Sequence, residues 1–217
     1  MQKESLYRAV NFICRKMDEK CLYLVGLDQQ NGDGDLGISM KEGFKAAKDS
    51  LQTAEEKDLG RLIMGMAGAF NEAAPSSLGT ILSIGMMGMA KALKGKEEAD
   101  VKEVAGAFTK GIQNIMEKAH SAPGEKTILD ALCPAAETLK NNACEGGESS
   151  EDVEKAYALA AAEALRGAES TREMLPKHGR AAYYGEKSLG TLDGGAAAGA
   201  LIFEAILESI RQTDEIE

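Results

Sequence analysis

Tryptophan is absent from the chain, and five tyrosines and five phenylalanines are the only aromatics among its 217 residues. Valine and threonine are sparse too, so the β-branched and aromatic residues that favour strands are largely missing. The two histidines, His120 and His178, have no nucleophile-like setting, and no Ser-His-Asp arrangement can be read. The four cysteines, Cys14, Cys21, Cys133 and Cys144, form no CxxC pair. Unbridged thiols in a reduced, cytoplasmic chain are the simplest account, with Cys14 and Cys133 as small core residues. No apolar run is long enough to span a bilayer, and Met1 to Ser5 do not begin a signal peptide. Basic residues are outnumbered 25 to 35, a net charge of −10, which argues against nucleic acid as a partner. An anionic ligand must then be reached through a metal or backbone amides.

What the chain does have is helix-forming chemistry: Ala, Met, Leu, Glu and Lys abound. Apolar residues recur at helical spacing from about 4 to 26, again from the loop near residue 36 to Leu51, and along Leu59 to Phe70. Thr53-Ala54-Glu55-Glu56 reads as a capping box for the third of these helices. Ile81 to Ala90 is apolar almost all round, the pattern of a helix central to a bundle. Val101 to Ile115, Leu129 to Leu139, an alanine stripe from Val153 to Ala168, and Ala197 to Ile210 complete seven or eight helices. Glu145 to Ser150 reads as a polar loop and Thr213 to Glu217 as a frayed tail. There is no internal repeat and no linker, so residues 1–217 read as a single all-α domain.

Ligand-type residues are confined to four inter-helix turns: Asp28 to Ser39, Pro75 to Thr80, Pro123 to Ile128, and His178 to Gly195. Loops of an up-and-down bundle alternate between its ends, and an even helix count between these four places them on one rim. In the first, Asn31-Gly32-Asp33-Gly34-Asp35-Leu36-Gly37 interleaves two carboxylates with glycines, with Asp28 just upstream. Clustered aspartates are hard oxygen donors suited to Mg²⁺ or Ca²⁺. The helix that follows offers free N–H groups to a phosphate. An EF-hand fits badly, because its twelfth position falls on Ser39 rather than on a glutamate. A solvated Gly/Asp turn is the plain alternative. The last turn, glycine-rich and of mixed charge, is long for a structureless connection, which favours a functional role.

Four segments together give the chain a likeness. They are Gly32-Asp33-Gly34-Asp35-Leu36-Gly37, Pro123 to Leu132, Gly179 to Gly190, and Leu192-Asp193-Gly194-Gly195-Ala196. In this order they resemble the nucleotide-binding L subunit of bacterial dihydroxyacetone kinase, over essentially the whole length. The resemblance implies a closed barrel of about eight antiparallel helices, with ADP or ATP and two Mg²⁺ ions at one end. Asp28, Asp33 and Asp35 match its metal-binding aspartates. Leu36, Gly37, Ile38, Ser39, Leu78, Gly79, Ile128, Arg180, Asp193, Gly194 and Gly195 match its nucleotide-contacting positions, and the three aspartates with Arg180 are the catalytic candidates. Arg180 could instead form a surface salt bridge with Glu173 or Glu186. Three features depart from the family pattern: Leu36 where a histidine is usual, Ser39 where asparagine is common, and Ala73 to Gly79 where a Gly-Gly-Ala-Ser-Gly run is expected.

The resemblance further implies a partner, a K subunit that holds dihydroxyacetone through a histidine, so that this chain is half of a kinase and inactive alone. It leaves open whether ADP stays bound and is recharged by a phosphotransferase-system protein or ATP exchanges, and it leaves a homodimer open. A nucleotide sensor with little catalysis and a lipid-binding helical domain of the same fold are the alternatives.

Overall fold

Several of the helices begin at a side chain that caps them. Asp58, Ser76, Asp100 and Ser149 each accept a hydrogen bond from a backbone N–H of the turn that follows, and Asp100 completes a capping box with Glu103. Each such bond satisfies a donor that the helix itself cannot, for about 1 kcal/mol. The computed structural model describes residues 1–145 and 149–214, in which there are nine α-helices and no strand. Of the loop expected over 145–150, Glu145 ends a helix and Ser150 begins one, and of the tail expected over 213–217, residues 213 and 214 are helical; 146–148, 215–217 and the side chain of Cys144 lie outside the described residues.

The helices are α1 (Lys3–Glu19), α2 (Cys21–Asp28), α3 (Leu36–Thr53), α4 (Leu59–Ala73), α5 (Ser77–Ala92), α6 (Val101–Ala119), α7 (Leu129–Glu145), α8 (Ser150–Ser170) and α9 (Gly194–Asp214). From α3 to α9 each packs against the next in sequence, and α1 packs against both α3 and α9. Eight helices thus close into a ring, with α2 as a short extension of α1 that also leans on α3. Lys16 fastens the closure: its buried ammonium reaches Glu204 at 3.1 Å and Glu208 at 2.6 Å, one turn apart on α9. Phe44 and Phe70 meet edge to face inside the ring, centroids 4.9 Å apart. The alanine stripe of α8 is buried through Ala156, Ala160 and Ala164, which lets α7 approach closely.

Three expectations are corrected by the fold. The run from 4 to 26 is two helices, because the chain breaks at Lys20 (φ −97°, ψ 8°). Thr53 ends α3 rather than capping the next helix; that cap is Asp58, whose side chain accepts from Arg61 N at 3.0 Å. And α5 is a wall of the ring between α4 and α6, not a central helix. Residues 81–90 have no exposed member all the same, because glycines let the neighbours come close: a Cβ on Gly88 would stand 2.8 Å from Gly111 Cα of α6. Among the described residues, no helix is long and apolar enough to cross a membrane.

Alternation of the ring places the connections α2–α3, α4–α5, α6–α7 and α8–α9 at one end. These are the four turns that carry ligand-type residues.

Candidate metal and phosphate site

A cleft of about 550 Å³ opens at that end, lined by residues from all four connections. It lies within the size range of small-molecule sites. Its acidic wall is built by the end of α2. The Asp28 carbonyl accepts from Asn31 N at 3.1 Å and Gly32 N at 2.6 Å, which turns the chain. Gly34, at φ +81°, then donates its N–H to Asp28 Oδ2 at 2.7 Å. A Cβ on Gly32 would collide with Asp28 Oδ1, so glycine there leaves that carboxylate its place.

The turn brings one carboxylate oxygen from each of Asp28, Asp33 and Asp35 within 4.8 Å of the others. Desolvation within the loop raises the Asp35 carboxyl above its ordinary value, and the charges of Asp33 and Asp28 raise it further. Three hard oxygen donors whose mutual repulsion a cation would relieve suit Mg²⁺. Arg180 faces them from the α8–α9 connection and pairs with Asp33. Glu173 and Glu186, the expected alternatives, are not its ion-pair partners.

Four helix N-termini converge on the cleft end: α3, α5, α7 and α9. Ser76 Oγ occupies Gly79 N on α5 (3.1 Å), Thr127 Oγ1 occupies Leu129 N on α7 (3.2 Å), and Asp193 Oδ2 occupies Ala196 N on α9 (2.8 Å). At α3 the capping position is Asp35, which makes no side-chain cap bond. The first-turn N–H groups of α3 therefore lie beside the carboxylates with no side-chain cap, where a phosphate bridged by a cation could reach both.

Asp28, Asp33, Asp35, Leu36, Leu78, Arg180, Asp193 and Gly194 all line the cleft. Gly37, Ile38, Ser39, Gly79, Ile128 and Gly195 do not. Ile38 points outward at 57% exposure, Ser39 is buried in α3, and Gly37 is where α2 crosses, its missing Cβ making room for the Cys21 carbonyl. Gly195 and Ile128 lie against one another just behind the wall. Burial pushes the Asp193 carboxyl up to about 6.

Several groups here had no role in the sequence. Asn31 Nδ2 donates to Thr191 Oγ1 at 3.0 Å, linking the acidic loop to the α8–α9 connection. His178 Nε2 lies 2.6 Å from Glu125 Oε2, and that contact, with the Ala122 N–H, holds the Glu125 carboxyl down at about 2. Lys126 lines the cleft and bonds to three carbonyls. Lys126 and Glu125 stand inside the Pro123 to Leu132 signature, which was their one visible signal.

Residues 30–208 match the DAK2 domain. The ADP-binding subunit DhaL of the PEP-dependent dihydroxyacetone kinase of Escherichia coli is 28% identical over 176 residues, covering 81% of this chain and 82% of that protein. L-erythrulose kinase of Pectobacterium atrosepticum is 32% identical over 182 residues, which is 83% of this chain but 30% of that protein. A crystal structure of the dihydroxyacetone kinase from C. freundii, in complex with AMP-PNP and Mg²⁺, superposes with a TM-score of 0.73 at 23% identity. It covers 94% of this chain and 33% of that one. The chain thus spans about a third of the longer kinases and most of the separate subunits. Matched over residues 30–208 and folded as the same closed ring of helices, the chain belongs to the DAK2 domain family.

Proposed function

We propose that the chain is a single-domain, cytoplasmic, nucleotide-holding subunit of a kinase for dihydroxyacetone or a related short keto-sugar. The observation that carries this reading is the meeting of Asp28, Asp33 and Asp35 with an uncapped helix N-terminus and Arg180 in one cleft. Relatives named as ADP-binding kinase subunits and as erythrulose kinases support it.

The three aspartates would hold Mg²⁺. Their charge, added to that of a nucleotide's phosphates, exceeds what one dication offsets, which supports two ions. Mg²⁺ held by these carboxylates would supply positive charge against the phosphates during transfer. Arg180 presents a planar fork of N–H donors and can turn from Asp33 to a phosphate oxygen with little cost, being exposed. The first-turn N–H groups of α3 orient the phosphate chain, while Leu36 and Leu78 give apolar contact in the cleft. Asp193 fixes the start of α9 through Ala196 N and so the position of Gly194 and Gly195. The sugar would be supplied on a separate K-type subunit, and the phosphoryl donor is either exchanging ATP or a phosphotransferase protein that recharges resident ADP.

Calorimetric titration of ADP and ATP into nucleotide-stripped protein, with Mg²⁺ and then with EDTA, tests the reading. Mg²⁺-dependent binding is expected, very tight for ADP if the coenzyme is resident. Absence of binding by either nucleotide would overturn it. Adding a K-type subunit should then yield triose phosphate, where a nucleotide sensor yields none.

One observation favours a second reading, the lipid-binding domain. An apolar cavity of about 160 Å³ lies inside the ring, walled by Val10, Ile63, Met66, Met86 and Ile112 among others. A cavity of roughly 150 Å³ takes a benzene-sized guest. Without widening it is too small for an acyl chain, so this reading ranks second. Extraction and mass spectrometry of the purified protein checks it.

A further inference from the structure

The connection between α8 and α9 spans 171–193 with three short 3₁₀ turns and no α-helix. It carries Arg180 and ends at Asp193, so its placement sets one wall of the cleft. Its crest stands in solvent, with Tyr183 92% exposed. Its two ends come together at one side chain from another connection. Lys126 Nζ donates to Thr171 O at 2.6 Å, Ser188 O at 3.1 Å and Thr191 O at 2.8 Å.

Two features mark this contact as built. Lys126 is 4% exposed, which is rare for lysine and costly unless the ammonium is fully bonded. Its backbone is also left-handed, at φ +59°, a conformation a non-glycine residue keeps only when its surroundings demand it. Asp130 supplies that demand: its carboxylate accepts from Gly124 N at 2.5 Å and Thr127 N at 2.7 Å, bracketing Lys126. The turn is wound so that the lysine points inward.

A lysine lining a phosphate cleft invites another role, direct contact with a phosphate oxygen. The donor count decides against it. An ammonium has three hydrogens, and three carbonyls already take them.

We propose that Lys126 is a positioning residue whose ammonium clasps the two ends of the 171–193 connection, and thereby holds Arg180 and Asp193 in place for nucleotide. The part concerning nucleotide rests on the function proposed above; the clasp itself does not.

The test pairs nucleotide affinity with hydrogen exchange in Lys126→Met, which keeps an apolar stem without the ammonium. Lys126→Arg, which keeps the charge, is the second variant should the first not fold. In ligand-free protein, amides of 180–191 should exchange faster in the variant, while those of α3 to α6 keep wild-type rates. By calorimetry, Mg²⁺–ADP should bind the variant roughly tenfold or more weakly, the usual effect of removing a supporting partner. Wild-type exchange in 180–191, or acceleration throughout the ring, would overturn the clasp. Failure of both variants to fold would also overturn it, since the ammonium touches nothing but carbonyls of this connection. If exchange rises locally but affinity is unchanged, the clasp does not serve the nucleotide and the proposal fails in that part. Wild-type protein that binds no nucleotide would instead sink the proposed function, and the exchange result would still decide the clasp.

Discussion

Arg180 reaches from the α8–α9 connection across the mouth of the cleft and pairs with Asp33 of the α2–α3 loop. Both side chains are well exposed, at 63% and 42%, so the pair adds little to stability. Its interest is where it stands, over the acidic cluster. Arg180→Ala should leave the melting temperature within about 2 °C of wild type. Mg²⁺–ADP affinity should fall by roughly tenfold or more, as expected when a charged phosphate contact is lost. A variant that melts much lower yet binds normally would mean that Arg180 is structural.

Removing the acidic wall should separate binding from folding in the same way. Asp33→Ala combined with Asp35→Ala is expected to abolish Mg²⁺-dependent nucleotide binding while helicity and cooperative unfolding persist. Two of three mutually repelling carboxylates are gone, so the ligand-free double variant should be at least as stable as wild type. Saturating Mg²⁺–ADP, at 100 times its Kd, should stabilise wild type by about 2.7 kcal/mol and the variant not at all. Unchanged affinity in the variant would remove the site assignment.

Asp193 gives a pH signature. Its carboxyl lies at about 6 in the folded chain against an ordinary value of 3.8, and burial is the main cause. The folded state binds this proton more tightly than the unfolded state. The group's contribution to stability is therefore greatest below about pH 4 and declines as pH rises through 6. In urea unfolding, the stability of wild type relative to Asp193→Asn should fall by on the order of 2 kcal/mol between pH 4 and pH 7. A flat or rising difference would show that burial does not perturb this carboxyl.

Two glycines of the first signature should fail differently. A Cβ at Gly37 would strike the Cys21 carbonyl, part of the α2 backbone, so Gly37→Ala should cost about 1–3 kcal/mol of stability. At Gly32 the first obstacle is the Asp28 carboxylate, so Gly32→Ala should mainly weaken Mg²⁺ binding. Thermal melts with and without Mg²⁺ distinguish the two. Equal loss of stability in both variants would contradict the assignment.

The sequence carried the helices and the gathering of the four turns because both follow from local signals, helical periodicity and the breakers between helices, whereas closure into a ring came only from the family resemblance. It misplaced the break at Lys20, since no glycine or proline marks it and the apolar stripe continues into α2. It took Thr53 for a cap because Glu56 stands three residues on, whereas in the structure Glu56 Oε1 accepts from Lys57 N and Asp58 N in an extended turn. The closeness of Asp28, Asp33 and Asp35 was visible in their spacing, which left a solvated turn open; the resemblance, not the spacing, singled out the three as metal ligands. The partner of Arg180 was not legible, since it lies in a turn nearly 150 residues away. The Lys126 clasp was least legible of all: its three acceptors are backbone carbonyls, which every residue has and no composition reveals.

Closure of the ring has a practical consequence for handling the protein. The α1 helix starts, and α9 finishes, at the end opposite the cleft, where Lys3 Nζ reaches the Ala54 carbonyl and Met1 lies by Ala99. An affinity tag, a surface tether or a fused reporter joined ahead of α1 therefore attaches to the base and leaves the mouth clear. A chip-bound preparation can be challenged with soluble nucleotide or with a second protein in the orientation in which it would work free.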